Sequence, residues 1–490
     1  MSLRTRIVKS VFTLGAGRLL GELCSFTRNI IIARMLTPAD VGIGATFWIT
    51  VAMLQMISDL ASDRLLIQAQ DGEEQQFQDT LHLFEFGRGL LTGSLLFILA
   101  WPVAYLFKTP QALWAFQCVA LVPILRGCSH LDIKRFHRKL RFRPQVMREL
   151  TAQFCSLTLA YPLCRWLGDY SAVLAIVLIQ ELVQMVGSHV ASERRYRWTW
   201  SDPYVRRLFA FGWPLMANGL LLFVIMRGDR LIIGTAFSTH DLGLYTMAFI
   251  LANAPFTLLS GVLNPIVLPL LSEVQNQPVA FQRRARLCNS IFVIAAGIAG
   301  IPMLLCASWL LTGIYGMKYE AATGVFSWLV AARMIWLFRV APTLTAMACA
   351  DTHNTLLANL FRLTGVGLAV LAAVLGYRLE AIAVAALVGE CIAAIASVVL
   401  VKVYHRVSSL ATLMPVLPLF IAVAVAHVIG RIYTNMGLGF YLGASVILSG
   451  VFACGMFALS PTLRLEIAPA VAGFRARIRW RIWGVHRQPE

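Results

Sequence analysis

Eight arginines interrupt stretches that are otherwise apolar enough to lie in a bilayer: Arg18, Arg28, Arg88, Arg227, Arg230, Arg333, Arg339 and Arg362. Each costs about 2.5–3.5 kcal/mol at the centre of a spanning helix, so eight would cost roughly 20 kcal/mol if none reached water or a partner. Groups retained against that cost face a wet cavity or close an ion pair. A guanidinium keeps its proton and presents a planar fork that binds phosphate oxygens in pairs. That all eight are arginine points to an anion-handling pathway. Arg18 and Glu22 stand at i, i+4 on one helix face, where they can neutralise each other. Arg28 lies nearly three turns further along, and Arg227 and Arg230 stand at i, i+3 with Asp229 between them. All of these arginines are candidates for substrate binding. Arg88 and Arg362 each lie in the inner half of their stretch. The competing reading for each is a closed ion pair: Glu85 is three residues from Arg88, whereas no acid adjoins Arg28.

Acids within the same stretches could couple movement of a cargo to protons or sodium. Glu22, Asp59, Glu85, Glu181, Asp229 and Glu390 are available. A carboxylate desolvated in a bundle can cycle its proton as its surroundings open and close. A static salt bridge, or a helix-end position for Asp59, is the simpler reading of any one of them. Coupling need not use them at all, because an anion leaving a negative cytoplasm gains about 2.3 kcal/mol per charge per 100 mV. The nine histidines show no metal-ligand spacing. His82, His189 and His427 read as packing positions, and His130 and His137 as solvated members of a basic loop. No cofactor or metal motif is present. The ten cysteines form no CxxC and read as small apolar residues rather than as zinc ligands or a disulfide framework.

The elements that must position these groups are membrane spans. Of the 490 residues 58% are hydrophobic and only 13% charged, too few charges for a water-soluble surface of this length. A span needs roughly 20 mostly apolar residues. Fourteen segments qualify: 9–34, 42–64, 80–106, 111–127, 149–166, 171–192, 208–233, 242–271, 287–312, 320–347, 355–376, 380–401, 412–430 and 438–460. The fold expected is therefore all-α and polytopic. Of the 42 Lys and Arg, 28 fall in the loops and termini on the side of the N-terminus, 6 on the other side and 8 in the spans. That asymmetry places both termini in the cytoplasm. It also accounts for most of the net charge of +18 by orientation. Basic segments at 126–148 and in the tail, the latter interleaved with aromatics, read as contacts to anionic lipid and not as a nucleic-acid site.

The chain also repeats itself. Residues 28–43, RNIIIARMLTPADVGI, align without gaps on 229–244, DRLIIGTAFSTHDLGL, at an offset of 201. Ile31/Ile232, Ile32/Ile233, Asp40/Asp241 and Gly42/Gly243 are identical. In each copy one span ends, a short polar link supplies Ser/Thr/Asp helix-start chemistry, and the next span begins. Six spans separate the copies, so the halves point the same way, as a parallel repeat about an axis near the membrane normal. The expected organisation is an N-terminal half at 1–200, a second half at 201–407, two further helices at 408–461 and a basic cytoplasmic tail at 462–490.

Around the repeat, ARMLTPADVGIGA, SDLASDRLLIQ, RKLRFRPQVMRELTAQF at 138–154 and the long segment 211–275 resemble the polysaccharide-transport family. These are lipid-linked oligosaccharide flippases of the MOP superfamily, related to the MATE drug exporters and the lipid II flippase. The resemblance covers roughly residues 5–410. One departure is Gly228 before Asp229, where a small polar residue is usual. The resemblance implies two six-helix lobes around a central cavity, opened alternately to either side of the bacterial inner membrane. Because the first helices of each lobe line the cavity in that superfamily, it puts Arg18, Arg28, Arg227 and Arg230 first as substrate-binding residues, with Arg88 and Arg362 next. It implies an undecaprenyl-diphosphate-linked oligosaccharide as cargo, with a polysaccharide polymerase and export machinery as partners. Two alternatives stand beside it. A MATE-like cation-coupled antiporter would have twelve spans and an arginine-poor cavity. A membrane polymerase or ligase would need a sizeable outer loop, and none is present here; the expectation is a transporter without covalent chemistry.

Overall fold

The computed structural model describes residues 3–432 and 436–465; most of the basic tail expected at 462–490 lies outside them. Among the described residues the secondary structure is helical throughout, without a strand. The long helices are α1 (Leu3–Met35), α2 (Pro38–Ser58), α3 (Gln75–Leu106), α4 (Arg143–Leu167), α5 (Tyr170–Val190), α6 (Asp202–Ala236), α7 (Thr239–Ser272), α8 (Pro278–Leu305), α9 (Thr323–Ala348), α10 (His353–Val374), α11 (Leu379–His405), α12 (Val416–Ile432) and α13 (Leu438–Leu459). Shorter helices fill the segments between α3 and α4 and between α8 and α9.

Ten of the helices are long and apolar enough to cross a membrane, and an eleventh span results if the pieces Pro110–Gly127 and Asp132–Arg138, bent by 47°, count as one. The remaining three expected segments are helical as well. Those at 9–34 and 149–166 lie in the more polar α1 and α4, and α12 is short. The chain is thus a multi-pass, all-α membrane protein.

Its residues form two compact units. The first comprises Met1–Ile250, Leu311–Ala322 and Ala369–Ile382; the second comprises Leu251–Leu310, Thr323–Leu368 and Ala383–Glu490. In the first unit the two copies of the repeat start their second helices in the same way. Thr37 Oγ1 accepts from the backbone N–H of Asp40 at 3.2 Å, and Ser238 Oγ accepts from that of Asp241 at 3.1 Å. Both are N-caps that satisfy an otherwise orphaned helical N–H. A few residues on, the copies meet. A β-carbon on Gly42 would lie 1.8 Å from the carbonyl oxygen of Thr239, and one on Gly243 would lie 1.8 Å from that of Pro38. The clash is the same seen from either side, so α2 and α7 cross at equivalent residues of the repeat. Only glycine allows backbones this close.

The basic segment 126–148, expected to contact anionic lipid, is tied to the rest of the unit by ion pairs. Arg135 reaches Asp132 at 2.5 Å, Glu193 at 3.1 Å and Glu73 at 3.5 Å; Lys134 pairs with Asp63 at 2.7 Å and Lys139 with Glu73 at 3.2 Å. Arg138 donates to the carbonyls of Leu66, Ile67 and Ala69, closing the end of the helix Ser62–Gln68. His130, expected to be solvated, is instead buried. Its ring packs 4.6 Å from His82, and its Nδ1 accepts from the backbone N–H of Asp132 at 3.0 Å. Sequence order placed it in a charged loop, but that loop folds back on the bundle and covers it.

Candidate functional site

Within the first unit, α1, α2, α5, α6 and α7 enclose a cavity of about 210 Å³. Its charged lining consists of Arg28 from α1 and Arg227 and Arg230 from α6; no acid is on the wall. The rest is apolar or neutral, including Ile32, Val41, Trp48, Val177 and Thr246.

Arg28 is held without being neutralised. Its guanidinium donates to Ser156 Oγ at 2.9 Å, to Gln153 Oε1 and Ser25 Oγ at 3.2 Å each, and to Gln180 Oε1. Every acceptor is uncharged. The side chain is therefore fixed inside the helix bundle by neutral acceptors, with its positive charge uncompensated. Arg230 is buried, with its guanidinium carbon 3.9 Å from the centroid of the Phe249 ring. Its Nε has no hydrogen-bond partner. A cation over an aromatic face is stabilised by the ring quadrupole while its charge stays uncompensated. Asp229, the nearest acid in sequence, is engaged elsewhere: Oδ2 accepts from Tyr245 Oη at 2.7 Å, and Oδ1 from the backbone N–H of Arg230 at 2.8 Å. The wall carries three positive charges and is built to keep them.

The other sequence candidates lie apart from this cavity. Arg18 and Glu22 are both exposed, and among the described residues no ion pair joins them. Arg88 closes on Glu85 through Nε at 3.0 Å and through Nη2 at 2.5 Å, and its Nη1 donates to Ser58 Oγ at 3.1 Å. Glu85 also accepts from Ser62 Oγ at 2.6 Å. Glu181 pairs with Arg126, whose Nε is 2.9 Å from Oε2. Asp59 is exposed beyond the end of α2 and accepts from the backbone N–H of Ala61 at 2.8 Å, a helix-end position. In the second unit Glu390 is 1% exposed and is shared by three arginines: Arg362 at 2.6 Å, Arg339 at 3.2 Å and Arg333 at 3.8 Å. Arg333 also donates to Asn253 Oδ1 at 3.4 Å. Arg362 and Arg88 are thus ion-paired, while Arg28, Arg227 and Arg230 meet on one wall.

Gln153, Ser156 and Gln180, which fix Arg28, were not singled out from sequence, nor was Tyr245, which engages Asp229. A signal was available in part. Gln153 and Ser156 stand at i, i+3, and Gln180 interrupts the apolar run 171–192. Nothing local shows that the three converge.

The chain matches the family described as polysaccharide biosynthesis protein over residues 31–323. It is similar to the succinoglycan biosynthesis transport protein ExoT of Rhizobium meliloti (strain 1021), 21% identical over 246 residues, covering 50% of each chain. It is also similar to the amylovoran biosynthesis protein AmsL of Erwinia amylovora, 22% identical over 257 residues, covering 50% of this chain and 64% of the relative. The aligned part thus spans about half of the first relative's length and less than two thirds of the second's. Among solved structures, the lipid II flippase MurJ in an inward closed conformation superposes with a TM-score of 0.70 at 12% identity, covering 92% of this chain and 99% of that one. An inward-facing multidrug resistance MATE family transporter of the MOP superfamily gives 0.63 at 12% identity, covering 80% and 95%. At such identity these likenesses establish a common fold.

Proposed function

The chain belongs to the polysaccharide biosynthesis protein family, and on that premise we propose that it is a flippase that moves an undecaprenyl-diphosphate-linked oligosaccharide across the bacterial inner membrane. The observation that carries the reading is the cavity whose charged lining is Arg28, Arg227 and Arg230, with no acid among the residues that line it. A diphosphate is the cargo element such a wall suits, because guanidinium forks pair with phosphate oxygens and remain charged at any physiological pH. Arg28 fixed by neutral oxygens offers a preset charge. Arg227 and Arg230, on one helix face, offer a second point of contact.

At about 210 Å³ the cavity has room for on the order of seven waters. That suits a headgroup and is far too small for an oligosaccharide. The sugar must be admitted by an opening on the cytoplasmic side, with the polyprenyl tail left in lipid, and released by an opening on the other side. No bond is made or broken. The membrane potential favours outward movement of the anion, about 2.3 kcal/mol per charge per 100 mV. Glu22, Asp59, Glu85, Asp229 and Glu390 are retained as coupling candidates. In this reading both termini are cytoplasmic, and a polysaccharide polymerase and export machinery act on the product.

The test is deletion of the gene in its own host. Lipid-linked repeat units should accumulate on the cytoplasmic leaflet and exported polymer should fall, and the wild-type chain should restore both. Unchanged export in a strain without a second flippase would overturn the reading. Arg28→Gln and Arg230→Gln that export normally at normal abundance would overturn the cavity assignment alone.

A further inference from the structure

Two lysines make the same contact in the two halves of the repeat. Lys108 follows α3, in the connection between the third and fourth expected spans; Lys318 lies in the connection between the ninth and tenth. The repeat makes these connections equivalent. Lys108 Nζ donates to the carbonyl of Ala236, at the C-terminal end of α6, at 3.1 Å. Lys318 Nζ donates to the carbonyls of Arg34 at 3.0 Å and of Leu36, at the C-terminal end of α1. At the offset of 201, α1 and α6 end at equivalent residues, Leu36 corresponding to Phe237. Each half's lysine therefore caps the first spanning helix of the other half.

Chain geometry explains why the caps come from a distance. The last carbonyls of a helix lack partners and carry the negative end of its dipole. They are normally satisfied by residues just beyond the end. Here there is almost no chain beyond it, since α2 begins at Pro38 and α7 at Thr239. The hydroxyls of Thr37 and Ser238 are already used as N-caps of those next helices.

Lys108 itself stands where glycine would serve the backbone better. Its φ is +56°, its N–H donates to Tyr105 at 3.0 Å, and the N–H of Thr109 donates to Ala104 at 2.8 Å, the helix-ending pattern whose left-handed position favours glycine. Glycine there would keep the backbone conformation and remove only the ammonium group. Arg34 adds a third cation on one side: it donates to the carbonyls of Gly313 and of Ile314, the latter at 2.8 Å, just ahead of Lys318. The equivalent residue of the second half, Thr235, bonds only back along its own helix, to Leu231 and Ile232.

We propose that Lys108 and Lys318 form a reciprocal latch that ties the outer ends of α1 and α6 to the opposite halves of the repeat, and that the two contacts hold or release together. The site opposite the cytoplasm must open for any cargo to leave, and it cannot do so while both ammonium groups sit on these carbonyls. That role rests on the transport reading; the mechanical coupling does not.

Hydrogen–deuterium exchange of the full chain in nanodiscs tests the coupling without any cargo. Lys108→Gly places glycine where the backbone prefers it, so the fold is kept while the ammonium is lost. In a latch, that variant speeds exchange on the order of tenfold at 235–238, which Lys108 caps, and also at 34–37, which it does not touch. Lys318→Met does the same in reverse, and Lys318→Arg, which keeps the charge, stays near wild type. Loosening confined to the helix end each lysine caps, or no loosening at all, overturns the latch. If Lys318→Met does not accumulate, Lys108→Gly decides by itself, because a coupled response at 34–37 is still required. The exchange result and the export assay fail independently.

Discussion

Exchanging Gln180 for Glu changes one amide to a carboxylate of the same shape and should disable the cationic wall without harming the fold. In the native chain the Gln180 amide oxygen accepts from Arg28, together with Gln153 and Ser156. A carboxylate in its place would sit about 4 Å from the guanidinium charge, an attraction of about 4 kcal/mol at an effective dielectric near 20, offset in part by its own desolvation. The protein should be as stable as wild type or slightly more so. The cavity, however, drops from three net positive charges to two. At about 6 Å from a doubly charged headgroup, one guanidinium contributes about 5 kcal/mol at that dielectric, before screening. Keeping only a third of that figure still gives more than a tenfold loss of affinity. Expressed in the deletion strain, Gln180→Glu should export as poorly as Arg28→Gln and accumulate lipid-linked repeat units, with normal abundance and an undiminished unfolding midpoint. Export at the wild-type rate would show that the charge of Arg28 is not what the cargo uses.

Glu390→Gln removes the carboxylate that Arg333, Arg339 and Arg362 share, and should cost about 3–5 kcal/mol, read as a lowered unfolding midpoint and reduced membrane abundance. Normal stability with transport that no longer depends on an ion gradient would identify Glu390 as a coupling residue instead. Gly42→Ala and Gly243→Ala each drive a β-carbon to 1.8 Å from a carbonyl oxygen, and should lower stability by similar amounts, at least about 1–3 kcal/mol each. Markedly unequal losses would contradict the equivalence of the two crossings. Burial pushes the Asp132 carboxyl up, but the Arg135 guanidinium and the backbone N–H groups of Glu193 and Arg194 outweigh it and hold it below its ordinary 3.8. A depressed folded value means stability that is present at neutral pH and is lost as pH falls below 3.8. Asp132→Asn should therefore be less stable at neutral pH and flatten the acid limb of the stability curve, measured by thermal unfolding across pH.

What the sequence determined by itself is whatever depends on local composition and period. The apolar runs placed the helices, including those that are too polar or too short to pass as spans on their own. Thr37 and Ser238 marked helix starts, and the aligned Gly42 and Gly243 marked the repeat. The arginines inside apolar runs marked positions that need either a wet cavity or a partner, because a charge in a bilayer needs a reason whatever its surroundings. What only the tertiary structure decided is which of those charges meet. An arginine in a spanning helix must face something, but its neighbours come from other helices, and a rotation of one residue turns it by about 100°. So Arg28 and Arg230, some two hundred positions apart, share a wall while Arg18, on the same helix as Arg28, is not part of it. Arg362 stood next after them as a candidate and is bound to Glu390. Gln153 and Gln180 looked incidental and fix Arg28. His130 sat in a charged loop and is buried. The link between Lys108 and Lys318 was invisible for the same reason: each contacts a main-chain carbonyl, which every residue has and no side-chain pattern can mark.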